Sequence, residues 1–309
     1  GVARAYITSR DDSDKRMIVL TYSDVSPPMY YLYEREENRL SPLGGHYPKL
    51  ANTDLAPMQR VDYKARDGRE IPGFLTLPVK GADKPPLVVY PHGGPWARDY
   101  WGFDNYVQAL ASRGYAVFQP QFRGSTGFGT EHLEAGYGQW GLAIQDDITD
   151  GVNWLIAEGK VDPDRICIYG ASFGGYAAAM GAVKTPDLYQ CAITVNGVLD
   201  LKMLIKSARY MAMGKANLAM WNDPDNVEEA SPYHLYKNIK VPMLVIASDK
   251  DTVVPWVDHS KRFYKRIRKL DIESDLVVLK GGEHWRTNEA HEQQKMEAII
   301  SFLDSHIGD

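Results

Sequence analysis

From about Met58 to the C-terminus, short apolar runs alternate with helical text, and this alternation constrains the fold more than any other feature of the chain. Leu87-Val88-Val89-Tyr90, Ala116-Val117-Phe118-Gln119, Arg165-Ile166-Cys167-Ile168-Tyr169, Cys191-Ala192-Ile193-Thr194-Val195, Met243-Leu244-Val245-Ile246-Ala247 and Leu276-Val277-Val278-Leu279 are near-continuous apolar strands. Helical patterns at 106–112, 146–158, 258–269 and 289–306 separate or follow them. Strands that are apolar on both sides need cover on both faces, so the pattern predicts an α/β fold. The sheet is expected to be mostly parallel, with helices on both faces. Arg66-Asp67-Gly68-Arg69, with Asp-Gly at its centre, predicts a hairpin at the start of this region. The less regular stretch 201–240 is expected to cap or wall the site.

The first part of the chain reads differently. Arg16-Met17-Ile18-Val19-Leu20-Thr21-Tyr22 and Met29-Tyr30-Tyr31-Leu32-Tyr33 are β-rich runs around the turn residues 23–28, with no helical period. Residues 1–56 are therefore expected to be a β segment plus a connector, too small to bury a core alone, and residues 57–309 the α/β unit. Unpaired edges along 16–33 would favour self-association into a homo-oligomer. Gly1 in place of Met makes the chain read as a processed or excised piece and leaves its localisation open.

Ligands of open α/β sheets bind beyond the carboxyl ends of the strands, so the chemistry is sought in the loops there. Gly170-Ala171-Ser172-Phe173-Gly174 joins the 165–169 strand to a helix beginning Gly175-Tyr176-Ala177. A serine at such a sharp turn is pushed out of the sheet, and a Cβ at either flanking glycine would clash with the neighbouring strand and helix. This is the nucleophile elbow of the α/β-hydrolase fold. A serine hydroxyl needs a base, and the base needs an orienting acid. On this fold the order is serine, acid, histidine. Asp249 and Asp251 both follow the 243–247 strand. Asp251 is preferred because Val253-Val254-Pro255 would desolvate it and fix its backbone, whereas Asp249 suits a turn cap. Of the four later histidines, His259, His291 and His306 sit in helical text and are expected on a solvated face. His284 follows the 276–279 strand behind Gly281-Gly282, and completes the set Ser172, Asp251 and His284.

An oxyanion needs preorganised donors. The N–H of Phe173 opens the elbow helix. The second donor is expected from Pro91-His92-Gly93-Gly94-Pro95, with Gly94 preferred and Gly93 as the alternative. His92 is expected to be a structural loop residue. Glu283, His284 and His291 lack metal-chelate spacing, and no cofactor is expected. The net charge of −5 argues against a basic nucleic-acid surface. No apolar stretch is long enough for a membrane helix. Cys167 and Cys191 are both in apolar runs and are expected to be buried free thiols.

Five segments together resemble the catalytic domain of the prolyl oligopeptidase family of serine peptidases: His92-Gly93-Gly94-Pro95, Gln121-Phe122-Arg123-Gly124-Ser125-Thr126-Gly127-Phe128-Gly129, Gly170 to Tyr176, Asp251 to Pro255, and Gly282-Glu283-His284. The resemblance runs from about Met58 to the C-terminus. His-Gly-Gly-Pro is more similar to the acylaminoacyl-peptidase and dipeptidyl-peptidase-like branch than to prolyl oligopeptidase itself, which has a tyrosine at the His92 position. Without that phenol, backbone N–H groups are left to hold the oxyanion. The resemblance implies a serine hydrolase acting on short peptides through an acyl-enzyme. It also implies a preceding β-propeller, of which residues 1–56 match the last segment and the connector, the remainder being a missing partner domain. Phe173, Val198, Leu201 and Val254 match positions that line the family's side-chain pocket. Arg123 matches a loop arginine, for which a structural ion pair is expected. The same triad would also serve a carboxylesterase acting on small esters. A non-catalytic interaction fragment of the same fold is the reading of another class.

Overall fold

The computed structural model describes residues 4–50, 53–208 and 227–308, and their strands form two sheets. The first is a four-stranded antiparallel meander of β1 (Arg4–Arg10), β2 (Arg16–Tyr22), β3 (Met29–Glu34) and β4 (Arg39–Gly45). The second holds β5 (Met58–Lys64), β6 (Glu70–Thr76), β7 (Leu87–Val89), β8 (Ala116–Pro120), β9 (Ile166–Ala171), β10 (Cys191–Val195), β11 (Met243–Ser248) and β12 (Ser274–Leu279). Its spatial order is β12-β11-β10-β9-β7-β8-β6-β5. β5, β6 and β8 pair antiparallel, and every pairing from β8 across to β12 is parallel. The helices are α1 (Asn105–Ser112), α2 (Thr130–Glu134), α3 (Ala143–Ala157), α4 (Phe173–Lys184), α5 (Leu201–Ala208), α6 (Pro232–Leu235), α7 (Ser260–Ile267) and α8 (Glu289–His306).

The large sheet is packed on both faces, as continuous apolar strands demand. Leu87 and Val89 point into a core with Ile148 and Val152 of α3 and Phe263 of α7. Val88, between them, points into a second core with Leu110 of α1 and Phe302 and Leu303 of α8. Helix α4 runs through the larger core and is buried from Phe173 to Val183. This is the α/β-hydrolase fold.

The antiparallel sheet is consistent with a blade left from a propeller. Its β1 is exposed along its whole length. It is tied to the large sheet through a few buried polar groups. Met58 N donates to Asp24 Oδ2 at 2.9 Å, and Gln108 of α1 holds Ala56 by both backbone groups, at 2.9 and 2.8 Å. The runs 16–22 and 29–33 are the central strands of this sheet, not unpaired edges as expected. The edges fall on β1 and β4, which the sequence pattern misses because β1 is polar at both ends and β4 contains Pro42 and two glycines. Proline lacks a ladder donor and is tolerated on an edge strand.

The cysteines also depart from expectation. Cys167 and Cys191 face each other across the parallel β9–β10 pair, with Cα atoms 4.7 Å apart, and are joined in a buried disulfide rather than left as free thiols. Their mutual register is a property of strand pairing, which neither strand shows alone. Of the expected wall over 201–240, α5 and α6 are seen, while residues 209–226 lie outside the described residues.

Candidate active site

Ser172 sits between β9 and α4 with φ 57° and ψ −118°, a left-handed backbone that a non-glycine residue adopts only under constraint. The constraint comes from both sides. Ser172 N donates to Val195 O at 2.9 Å. A Cβ on Gly170 would meet the Gly174 backbone at 2.4 Å, and one on Gly174 would meet Pro91 O at 2.1 Å. The elbow, its helix and the end of β7 therefore approach at a distance that excludes side chains, and Ser172 alone projects outward.

His284 lies in the loop after β12. Its Nε2 is 3.1 Å from Ser172 Oγ, and its Nδ1 is 2.6 Å from Asp251 Oδ2. Asp251 has a fully buried side chain, and its Oδ1 accepts from Val253 N and Val254 N at 2.8 Å each. One carboxylate oxygen is thus held by the backbone of the Val-Val segment, leaving the other for the imidazole. Asp249 Oδ1 accepts instead from Gly281 N at 2.6 Å, tying the loop after β11 to the loop that carries His284. The three expected side chains come together from three strand ends, in one hydrogen-bonded line.

Of the two glycines after β7, Gly93 packs on the serine. A Cβ on Gly93 would stand 3.6 Å from that of Ser172, while Gly94 has φ 125° and would press a Cβ on Trp96 N at 2.8 Å. Among the described residues, the N–H groups of Gly94 and Phe173 donate to no backbone carbonyl.

A family model described as the prolyl oligopeptidase family matches residues 101–309, which contain Ser172, Asp251 and His284. The chain belongs to the prolyl oligopeptidase family. Over 294 residues it is 37% identical to a dipeptidyl aminopeptidase BIII of Pseudoxanthomonas mexicana, covering 90% of this chain and 42% of that protein. It is 23% identical to the acylamino-acid-releasing enzyme of Sus scrofa, covering 82% of this chain and 36% of the relative. A solved puromycin-hydrolyzing peptidase of Mycobacterium tuberculosis shares the fold, with a TM-score of 0.85, 23% identity, and coverage of 95% of this chain and 46% of that one. A Pyrococcus horikoshii acylaminoacyl peptidase superposes with a TM-score of 0.84 at 25% identity, over 100% and 51% of the two chains. The chain thus spans roughly a third to half of the length of these relatives.

In this family member the neighbouring residues brace the site from behind. His92 is buried, stacks on Phe122 at 4.3 Å and places Nε2 2.7 Å from Ser125 Oγ; burial lowers it to about 4, which keeps it neutral. Arg123 makes the expected ion pair, with Nε and Nη2 on Asp147 at 2.8 and 2.6 Å and Nη1 on Asp67 at 2.8 Å. Phe173, Val198, Leu201 and Val254 all belong to the larger core, with Phe173 against Trp140 at 4.5 Å and Tyr176 at 5.4 Å. His291 caps α8 together with Asn288.

Three residues escaped the sequence reading. His259 is buried at the start of α7, not solvated, and its Nδ1 accepts from Leu199 N and Asp200 N at 3.2 and 3.3 Å. Burial lowers it to about 4. It ties the acid loop to the loop after β10, a link made across the fold. Asn196, at φ 46°, clamps Ser248 through Nδ2 to Oγ at 3.1 Å and through Ser248 N to its Oδ1 at 2.7 Å. An asparagine just before Gly197 at a strand end is a signal that could have been read. Trp285 lies edge-on to the His284 ring at 4.4 Å and is 76% exposed.

Proposed function

We propose that the chain is a serine peptidase module that cleaves short peptides through an acyl-enzyme, with Ser172 as nucleophile, His284 as base and Asp251 as its orienter. The observation that carries this is the continuous line from Asp251 through His284 to Ser172. With Asp251 accepting at Nδ1, the neutral imidazole keeps its proton there and offers Nε2 to the serine hydroxyl. Ser172 Oγ attacks the scissile carbonyl as its proton passes to Nε2. The tetrahedral oxygen is held by the N–H groups of Phe173 and Gly94, with Gly93 as the alternative second donor. His284 then gives the proton to the departing amine, leaving Ser172 acylated, and water repeats the sequence to release the acid. Phe173, Val198, Leu201 and Val254 form the wall behind the acyl side chain.

The substrate class follows the relatives' names. Release of an N-terminal dipeptide or an acylated amino acid from a short peptide is the reading that the dipeptidyl aminopeptidase and acylamino-acid-releasing relatives support. In the same reading residues 1–56 are a propeller blade with its connector and residues 57–309 the catalytic domain, the remaining blades being the partner that gates the site. A fluorophosphonate probe tests the nucleophile. It is expected to label Ser172 alone, and Ser172→Ala is expected to abolish labelling. Modification of any other serine in the digested protein would overturn the assignment.

Carboxylesterase chemistry is the second reading, favoured by Trp285, which stands in solvent beside the buried His284 ring. Binding energy from remote parts of a substrate helps a poor amine leaving group more than an activated ester. The chain is therefore expected to turn over p-nitrophenyl esters more efficiently than matched anilides, with the gap closing when a full propeller is joined to it. Equal anilide kcat/KM with and without the propeller would refute that domain's part in catalysis.

A further inference from the structure

A cleft of about 280 Å³ lies beside the segment that follows Gly94, between the start of β1, the middle of β6 and the end of β8. Arg4, Arg60 and Arg98 line it, Phe74, Trp101 and Phe128 give it apolar walls, and no Asp or Glu lines it. The arginines come from three separate places: the blade, the first hairpin strand, and the segment after Gly94. Two of the guanidinium groups are held over aromatic rings. That of Arg4 lies 5.3 Å from the Trp101 ring centre, and that of Arg98 lies 4.6 Å from Tyr100 and 4.9 Å from Phe128. Gly127 makes room for Arg98, since a Cβ there would stand 2.1 Å from Nη1. Arg60 shares an exposed pair with Asp62 at 3.0 Å. The neighbouring Asp99 is turned onto Gln121, gripping its amide in both directions at 3.0 and 3.1 Å, and burial pushes its carboxyl up to about 7.

A cleft lined by cations and no acid focuses positive potential on whatever enters it. Planar guanidinium forks fit a carboxylate better than any other common biological group except phosphate. The cleft also stands within reach of the serine. Gly93 packs on Ser172, and consecutive Cα atoms are ~3.8 Å apart, so the Arg98 Cα is at most about 19 Å from that of Gly93. An extended chain of about six residues covers that span.

We propose that this cleft is a carboxylate subsite that takes the free C-terminus of a short peptide whose scissile bond lies at Ser172. The choice of ligand rests on the peptidase reading, whereas the affinity for a carboxylate does not. The test is calorimetric titration of the Ser172→Ala chain with N-acetyl-hexaalanine as the free acid and as the C-terminal amide. The acid is expected to bind about tenfold tighter than the amide, a preference that shrinks with added salt. Arg60→Met with Arg98→Met is expected to erase the preference. Arg60→Met alone, at an exposed strand position, is expected to weaken it with unchanged circular dichroism, which guards against a folding artefact in the double variant. Equal affinity for acid and amide, or a preference that survives the double substitution, overturns the proposal. N-acetylglycine binding as tightly as the hexapeptide acid would also overturn it, making the site one for small free carboxylates. Turnover is measured separately on the parent chain. Failure to cleave the peptide with the acid preference intact would sink the peptidase reading and support the subsite.

Discussion

Replacing His284 by alanine is expected to lower kcat/KM on a p-nitrophenyl ester by about 10⁴–10⁶-fold, as much as Ser172→Ala does. In the proposed mechanism the two groups act on one proton, so removing either would remove the whole step. Asp251→Asn is expected to cost somewhat less, because an amide can still meet Nδ1 while failing to hold the imidazole in the required tautomer. The contrast is Asp249→Asn. Asp249 accepts from Gly281 N, not from the imidazole, so its loss loosens the histidine loop without touching the proton path. A drop of less than about tenfold is expected there. Steady-state kinetics on the four variants decide the matter. If Asp249→Asn proves the crippling change and Asp251→Asn the mild one, the acid has been misassigned.

The second large effect concerns stability. Asp147→Ala is expected to cost about 3–5 kcal/mol, because it leaves a nearly buried guanidinium without its main partner. Asp147 has a fully buried side chain that accepts from the backbone N, Nε and Nη2 of Arg123. These bonds raise the Arg123 guanidinium well above its ordinary value. Asp67 also bonds Arg123, but it is half exposed, so Asp67→Ala is expected to cost less than about 1 kcal/mol. In thermal unfolding the first variant is expected to lose roughly 6–10 °C and the second about 2 °C or less. Equal shifts would show that the pair is not the anchor inferred. The segment around Arg123 also touches the site, with Thr126 N donating to Ala97 O at 2.9 Å and Ser125 bonded to His92. Activity of Asp147→Ala is therefore expected to fall further than its folded fraction does.

The chain's local text carried much of this. Continuous apolar strands announced a sheet covered on both faces, because a strand with no polar alternate cannot border water. Gly170 and Gly174 around Ser172 announced the elbow, since a close backbone approach leaves its mark as missing side chains. Asp251 was separable from Asp249 because the Val-Val-Pro segment that holds its carboxylate is adjacent in sequence. What the sequence could not decide were relations between strands and loops far apart in it. The disulfide depends on the register that sets Cys191 against Cys167. The burial of His259 depends on the β10 loop folding over it, although its own helix has a strongly polar text. The edges of the N-terminal sheet depend on β1 and β4, whose residues resemble loops until a neighbour supplies their hydrogen bonds. The cleft gathers Arg4, Arg60 and Arg98 from three segments with no common pattern. Burial periodicity and steric permission are written residue by residue and survive in the linear text. Register, long-range contact and the convergence of charges arise only when packing brings distant segments together, and there the tertiary structure alone decides.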